Sequence, residues 1–210
     1  MLSQYYTIKE DGTYEIIIQK SRFIGHVARV QTEEEAQSFI QKIKKQHHTA
    51  THNCSSYMIG ERDEIQKAND DGEPGGTAGI PMLEVLKQLE LKNTVVVVTR
   101  YFGGIKLGAG GLIRAYGTTT SETIKQVGIV KGELMQGYHV TIDYPLLGKV
   151  ENMIEHSNYI IDNKEYKEDV RLTIYVHIDE LDEFKKSIIN LTNDQAQFEI
   201  GQQKYVETSI

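Results

Sequence analysis

At 210 residues, with 39% hydrophobic and 25% charged residues, the chain is too apolar to be intrinsically disordered and long enough for one large or two small globular domains. No apolar run approaches the roughly 20 residues that span a bilayer. The first residues show no basic-then-apolar leader, and a single cysteine, Cys54, cannot form an internal disulfide, so a cytoplasmic setting is expected. The net charge of −7 is uneven. Residues 1–131 carry 16 Lys and Arg against 15 Asp and Glu, a net of +1, whereas residues 132–210 carry 7 against 15, a net of −8. The acidic half either serves solubility alone or confines any phosphate contact to a local patch on the N-terminal half.

Two β-rich stretches, Thr13 to Gln19 and Phe23 to Val30, open the chain as strands. A helix follows, with Thr32 and Glu35 at capping-box spacing and Ala36, Phe39, Ile40 and Ile43 on one stripe. A polar His-rich turn, Gln46 to Asn53, leads to a short strand, Cys54 to Ile59. Asp70 to Gly79 holds four glycines and Pro74 and must be a loop, after which Pro81 suits the first turn of a helix carrying Met82, Val85, Leu86 and Leu89 and ending at Asn93. Thr94 to Thr99 lacks alternation and is predicted as a central strand buried on both faces. A second Gly-rich turn, Gly103 to Gly111, precedes a helix with Ile113, Tyr116, Thr120, Ile124 and Val127 on one side.

Beyond Gly128 the pattern restarts: a strand over 134–142, a helix from Pro145 to His156, a short strand at Tyr159 to Ile161, an alternating strand from Val170 to Ile178, a helix capped by Asp179, and a last strand from Ala196 to Val206. The order β-α-β-β-α-β is the ferredoxin-like arrangement. The expected fold class is therefore α+β in two domains, residues 1–131 and 132–210.

Three segments could carry chemistry. Asp70, Asp71 and Glu73 crowd three carboxylates into four residues, which calls for a cation, an arginine or a helix N-terminus, or else for a plain solvated turn. The run Arg100-Tyr101-Phe102-Gly103-Gly104-Ile105-Lys106, continuing to Arg114, leaves a buried strand and enters a helix. That geometry can hold an anion, and basic, aromatic and glycine residues together suit RNA or a nucleotide. It matches neither the Walker A nor the G-x-G-x-x-G pattern, and glycines for tight packing with arginines paired to the acidic loop would explain it equally well. The third segment, His47-His48-Thr49-Ala50-Thr51-His52-Asn53-Cys54, has the residue types of a zinc site or a Cys–His nucleophile, but no fourth ligand or orienting acid has a recognisable spacing, and a buried small Cys beside a polar turn accounts for it. Lys20-Ser21-Arg22-Phe23 is either a hairpin turn or a basic lip beside the site. The common hydrolase signatures are absent.

The residues of these motifs resemble the IMPACT family. The likeness rests on Lys20-Ser21-Arg22-Phe23-Ile24, Ala50-Thr51-His52-Asn53-Cys54, Asp70-Asp71-Gly72-Glu73-Pro74, Gly76-Thr77-Ala78-Gly79, Thr99-Arg100-Tyr101-Phe102-Gly103-Gly104 and Leu107-Gly108-Ala109-Gly110-Gly111-Leu112, in order. It implies an N-terminal domain like domain 2 of a small-subunit ribosomal protein, and a C-terminal domain similar to the last domain of elongation factor G. It also implies a role connected with translation. Eukaryotic relatives regulate the starvation-responsive kinase of initiation factor 2 by binding that kinase's activator, a detail not expected to transfer to a bacterial-type chain.

The favoured expectation is a non-enzymatic protein that binds RNA, the ribosome or a translation-associated protein, with no cofactor, no metal, no membrane and no DNA sequence specificity. Arg22, Arg100, Lys106 and Arg114 would meet phosphate, Tyr101 and Phe102 would stack, Gly103 and Gly104 would shape the turn, and Asp70, Asp71 and Glu73 would position the arginines. The alternative is a Mg-dependent enzyme acting on a nucleotide or phosphorylated small molecule. A third possibility is an adaptor that binds protein partners through the acidic C-terminal half.

Overall fold

The computed structural model describes residues 2–210, which divide into two compact units: residues 5–131 with 208–210, and residues 2–4 with 132–207. After strand β1 (Gln4–Ile8), the first unit builds a five-stranded antiparallel sheet. Its order is β2 (Gly12–Ile18), β3 (Ser21–Arg29), β6 (Thr94–Tyr101), β4 (His52–Ile59) and β5 (Ile65–Asn69). Helix α1 (Glu33–Gln46) lies on one face; α2 (Gly79–Gln88) and α3 (Gly108–Val127) lie on the other.

The valine run explains why β6 is central. Successive side chains of a strand point to opposite faces. Val95 and Val97 therefore join Ala36, Ile40 and Ile43 of α1, while Val96 and Val98 join Met82, Leu86, Ala115 and Ile124 of α2 and α3. All four valines are wholly buried. The capping box of α1 forms with a shift: Thr32 Oγ1 accepts from Glu35 N at 3.2 Å, but the Glu35 carboxylate reaches Gln31 N, at 2.6 Å, rather than the cap residue itself.

The second unit follows β7 (Ile129–Ile142) with α4 (Tyr144–Glu155), β8 (Ile160–Tyr166), β9 (Val170–His177), a 3-10 turn at Ile178–Glu180, α5 (Leu181–Thr192) and β10 (Gln197–Ser209). β7 pairs with β9, β9 with β8, and β10 with the other edge of β7, which is the ferredoxin-like order. Val140, Ile142, Leu172, Ile174 and Val176 pack on Val150, Ile154, Phe184 and Ile188 from the two helices.

Several expectations shift. β1 and β5 were not foreseen; β5 is exposed at four of its five positions and shows no apolar alternation. β7 begins five residues before the expected 134, and β8 continues to Tyr166. Asp179 does not cap α5: it sits inside the 3-10 turn, and Glu180, which precedes the helix, makes no side-chain cap bond. Asn93 does not end α2, which stops at Gln88; Asn93 instead adopts φ of 52° immediately before β6. No helix among the described residues is long and apolar enough to cross a membrane.

Candidate functional site

The register brings the sequence motifs to one end of the first sheet. Arg22 near the start of β3 faces Tyr101 at the end of β6, and His52 at the start of β4 faces Arg100. The Thr51 amide donates to Arg100 O at 2.9 Å, and Thr51 Oγ1 accepts from Phe102 N at 3.1 Å, so the turn before β4 holds the chain where it leaves β6. Gly103 N donates to Ser21 Oγ at 3.1 Å.

The three carboxylates of the first glycine segment do three separate jobs. Asp70 caps α2 from a distance. Its Oδ1 accepts from Ala78 N and Gly79 N at 3.0 and 2.9 Å, and its Oδ2 from Gly76 N at 2.8 Å. These bonds supply the cap that the residue next to the helix, Ala78, cannot. Burial alone would raise the Asp70 carboxyl, but the three amides outweigh it and hold it below its ordinary value. Gly79 has no room for a side chain, since a Cβ there would lie 2.5 Å from Asn69 N. Asp71 turns the other way: Lys44 Nζ and the Asn53 amide each donate to it at 2.6 Å, and its own carbonyl meets His52 Nδ1 at 2.8 Å. Its φ of 44° is an unusual conformation for a residue with a side chain, sustained by these partners.

Glu73 is 8% exposed and ties the two glycine-rich segments together. One oxygen accepts from Arg100 Nη1 and from Tyr116 Oη of α3, both at 2.7 Å, and the other lies 3.7 Å from His52 Nε2. Arg100 itself is 5% exposed, with its guanidinium flanked by the rings of Phe23 and Phe102 at 5.4 and 5.5 Å. Its Nε is buried and has no hydrogen-bond partner among the described residues. The expectation that Asp70, Asp71 and Glu73 jointly hold the arginines is thus corrected: only Glu73 touches one. Asp70 is saturated by amides, and Asp71 pairs with a lysine. Arg100 is enclosed in the unit rather than presented to solvent.

Strand alternation separates the remaining candidates. Tyr101 lies on the α1 face, opposite to Arg100. There its hydroxyl shares a 2.9 Å hydrogen bond with His47 Nδ1, and Arg22 stacks over its ring at 5.2 Å. Arg22 is held by Glu15 through two bonds of 2.9 Å, Nε to Oε1 and Nη2 to Oε2. That bonding outweighs burial, which acts the other way, and with the Arg22 charge holds the Glu15 carboxyl below its ordinary value. Behind them His26 is buried; it touches Thr13 Oγ1 at 3.2 Å and Thr99 Oγ1 at 3.4 Å. Thr99 gives its one hydroxyl proton to Asn53 Oδ1 at 2.7 Å, so His26 Nε2 is the donor to Thr99 and its Nδ1 the acceptor from Thr13. Burial, with His47 nearby, lowers the His26 imidazole to about 4. Burial and the Arg22 charge also lower His47.

The His-rich segment assembles no metal centre: among the described residues no group of three or more His, Cys, Asp or Glu is placed to hold a metal ion. Cys54 is wholly buried, its Sγ donates to Asp70 O at 3.1 Å, and burial pushes the thiol up to about 12, so it is not a ready nucleophile.

The second glycine segment is built in the opposite way to the first. Gly104 and Gly108 have φ of 86° and 70°, and a Cβ on either would meet nothing within 4 Å. α3 starts at Gly108 with no side-chain cap and no acidic residue in its first turn. Its leading amides therefore lack a side-chain acceptor. Lys106 and Arg114 are exposed and make no hydrogen bond or ion pair among the described residues. Phe102, Ile105 and Ile113 of the same stretch of chain are 47%, 40% and 44% exposed.

Comparison with known proteins follows the same division. A family model described as the Impact N-terminal domain matches residues 19–124, and one described as a domain of unknown function, DUF1949, matches residues 140–195. The chain is 55% identical over 210 residues to the IMPACT family member YvyE of Bacillus subtilis, covering all of this chain and 97% of that one. It is 32% identical to the IMPACT family member YigZ of Escherichia coli, covering 86% and 89%. A solved structure described as that of a hypothetical protein superimposes with a TM-score of 0.60 at 28% identity, covering 96% of this chain and 99% of that one. The order of the motifs at the end of the first sheet and the two-domain match have one explanation: the chain belongs to the IMPACT family.

Proposed function

We propose that this protein is a non-enzymatic RNA-binding protein of the translation apparatus. Its contact surface is the open start of α3 with Lys106, Arg114 and Phe102. One observation carries the reading. A long helix begins in an uncapped glycine turn with no acid in its first turn, and the chain around that turn carries an exposed aromatic ring and two cations without partners among the described residues. Free amides and cations suit phosphate oxygens, and a ring suits an unstacked base. Arg100 supports this surface from beneath, pinned by Glu73 and stacked against Phe102, rather than meeting the ligand. The metal-dependent alternative loses its motive, because Asp70, Asp71 and Glu73 point to different protein partners and do not converge on one point.

Filter binding of a labelled structured RNA across a salt series tests the proposal. Affinity should fall steeply with salt. Replacing Lys106 and Arg114 together by alanine should weaken binding about tenfold or more and flatten the logarithmic salt slope by about two. Binding that ignores salt, or is unchanged in the double variant, overturns it.

A further inference from the structure

The Lys20-Ser21-Arg22-Phe23 motif is accounted for by the fold at three of its four positions. Ser21 is fully buried and its hydroxyl accepts from Gly103 N. Arg22 is held by Glu15 and lies over Tyr101. Phe23 is fully buried beneath Arg100. Lys20 is exposed and, alone of the four, makes no hydrogen bond or ion pair among the described residues.

Its backbone is also in the wrong conformation for a lysine. Gln19 and Lys20 form the two-residue turn between β2 and β3, with φ of 44° and 66°. Turns with two positive φ angles favour Asn-Gly, because a Cβ is crowded there. The turn is not free to relax, since Gly103 packs directly on it: a Cβ on Gly103 would lie 2.1 Å from the Lys20 carbonyl carbon and oxygen. The fold thus tolerates a lysine where glycine would fit better. It places that lysine's backbone in contact with the segment that leads into α3.

From this we infer that Lys20 is a further phosphate-contacting residue of the RNA surface, supplied by the hairpin. The assignment rests on the RNA-binding reading above. It explains why a strained position carries a long cation with no partner among the described residues: the flexible four-carbon stem extends a point charge from a turn whose backbone touches Gly103, three residues before Lys106.

The experiment compares the full-length wild type with Lys20→Gly, Lys20→Asn and Lys20→Arg, using the same labelled RNA and salt series together with urea unfolding. Glycine and asparagine both accept positive φ. Each should keep or raise the unfolding midpoint, weaken RNA binding about three- to tenfold at low salt, and flatten the logarithmic salt slope by about one. The arginine variant should retain binding within about twofold. If Lys20→Gly and Lys20→Asn bind like wild type while the Lys106 and Arg114 double variant is weakened, the role of Lys20 is overturned and the RNA reading stands. A lower unfolding midpoint in both variants also overturns it, because the lysine would then serve the turn. If the wild type shows no salt-dependent binding, the RNA reading falls and this assignment falls with it.

Discussion

The two glycine segments of the first unit have similar compositions and opposite physical states. In residues 70–79 each carboxylate is spoken for: amides at the start of α2, a lysine and a strand amide, and a buried arginine with a tyrosine. In residues 103–111 Gly104 and Gly108 open onto space, the helix start is uncapped, and Lys106 and Arg114 have no partners among the described residues. Glycine content therefore says only that the backbone does something unusual. Whether a polar segment is structural or available to a ligand is decided by whether its hydrogen-bonding groups are already satisfied.

The difference can be tested by stability. Glu73→Ala should cost the most, roughly 3–5 kcal/mol in urea unfolding, because it strands a buried guanidinium; a loss under about 1 kcal/mol would show that the first segment is not fixed as described. Acidification approaches the same segment from behind, since His26 connects through Thr99 and Asn53 to Asp71. His26 lies at about 4 when folded, below its ordinary value of 6.5, so its neutral form is favoured in the native state. Its contribution is complete above pH 6.5 and is lost as pH falls through 4, a difference of the order of 3 kcal/mol. A His26→Gln variant should lose that part of the pH dependence, as followed by thermal unfolding between pH 7 and pH 4. Asp70→Ala, which uncaps α2, should cost about 1–2 kcal/mol at neutral pH. Because the folded carboxyl sits below its ordinary value, the gap between Asp70→Ala and wild type should narrow as pH falls through the carboxylate range. The smallest effect belongs to the open segment: Lys106→Ala with Arg114→Ala should shift stability by no more than about 0.5 kcal/mol, because neither side chain has a partner to lose among the described residues.

Much of this architecture could be read from residues alone. The unbroken valines announced a central strand, Thr32 and Glu35 announced a helix start, and the alternation from Val170 announced β9. The separation of Tyr101 from Arg100 was also readable, since neighbours on a strand face opposite ways; grouping them as one basic-aromatic patch overlooked the period of two. Other features depend on distant partners. Asp70 accepts from amides six to nine residues onward, Asp71 meets a lysine 27 residues back, and Glu73 meets an arginine 27 residues ahead. Three adjacent acids look alike in sequence until the fold sends them in three directions. Tyr116 read as one more member of an apolar helix stripe, and only its hydroxyl bond to Glu73 shows that it anchors the loop. β5 was invisible because its side chains face water and leave no periodic signal.

Cys54 gives the first unit an internal stopwatch. The thiol lies wholly inside the α2–α3 core, bonded to the Asp70 carbonyl and kept in its protonated form. A thiol reagent reaches it only when that core opens, so the rate of alkylation in native buffer measures how often the scaffold beneath the proposed RNA surface comes apart. No label need be engineered, since the chain has no other cysteine to confuse the reading.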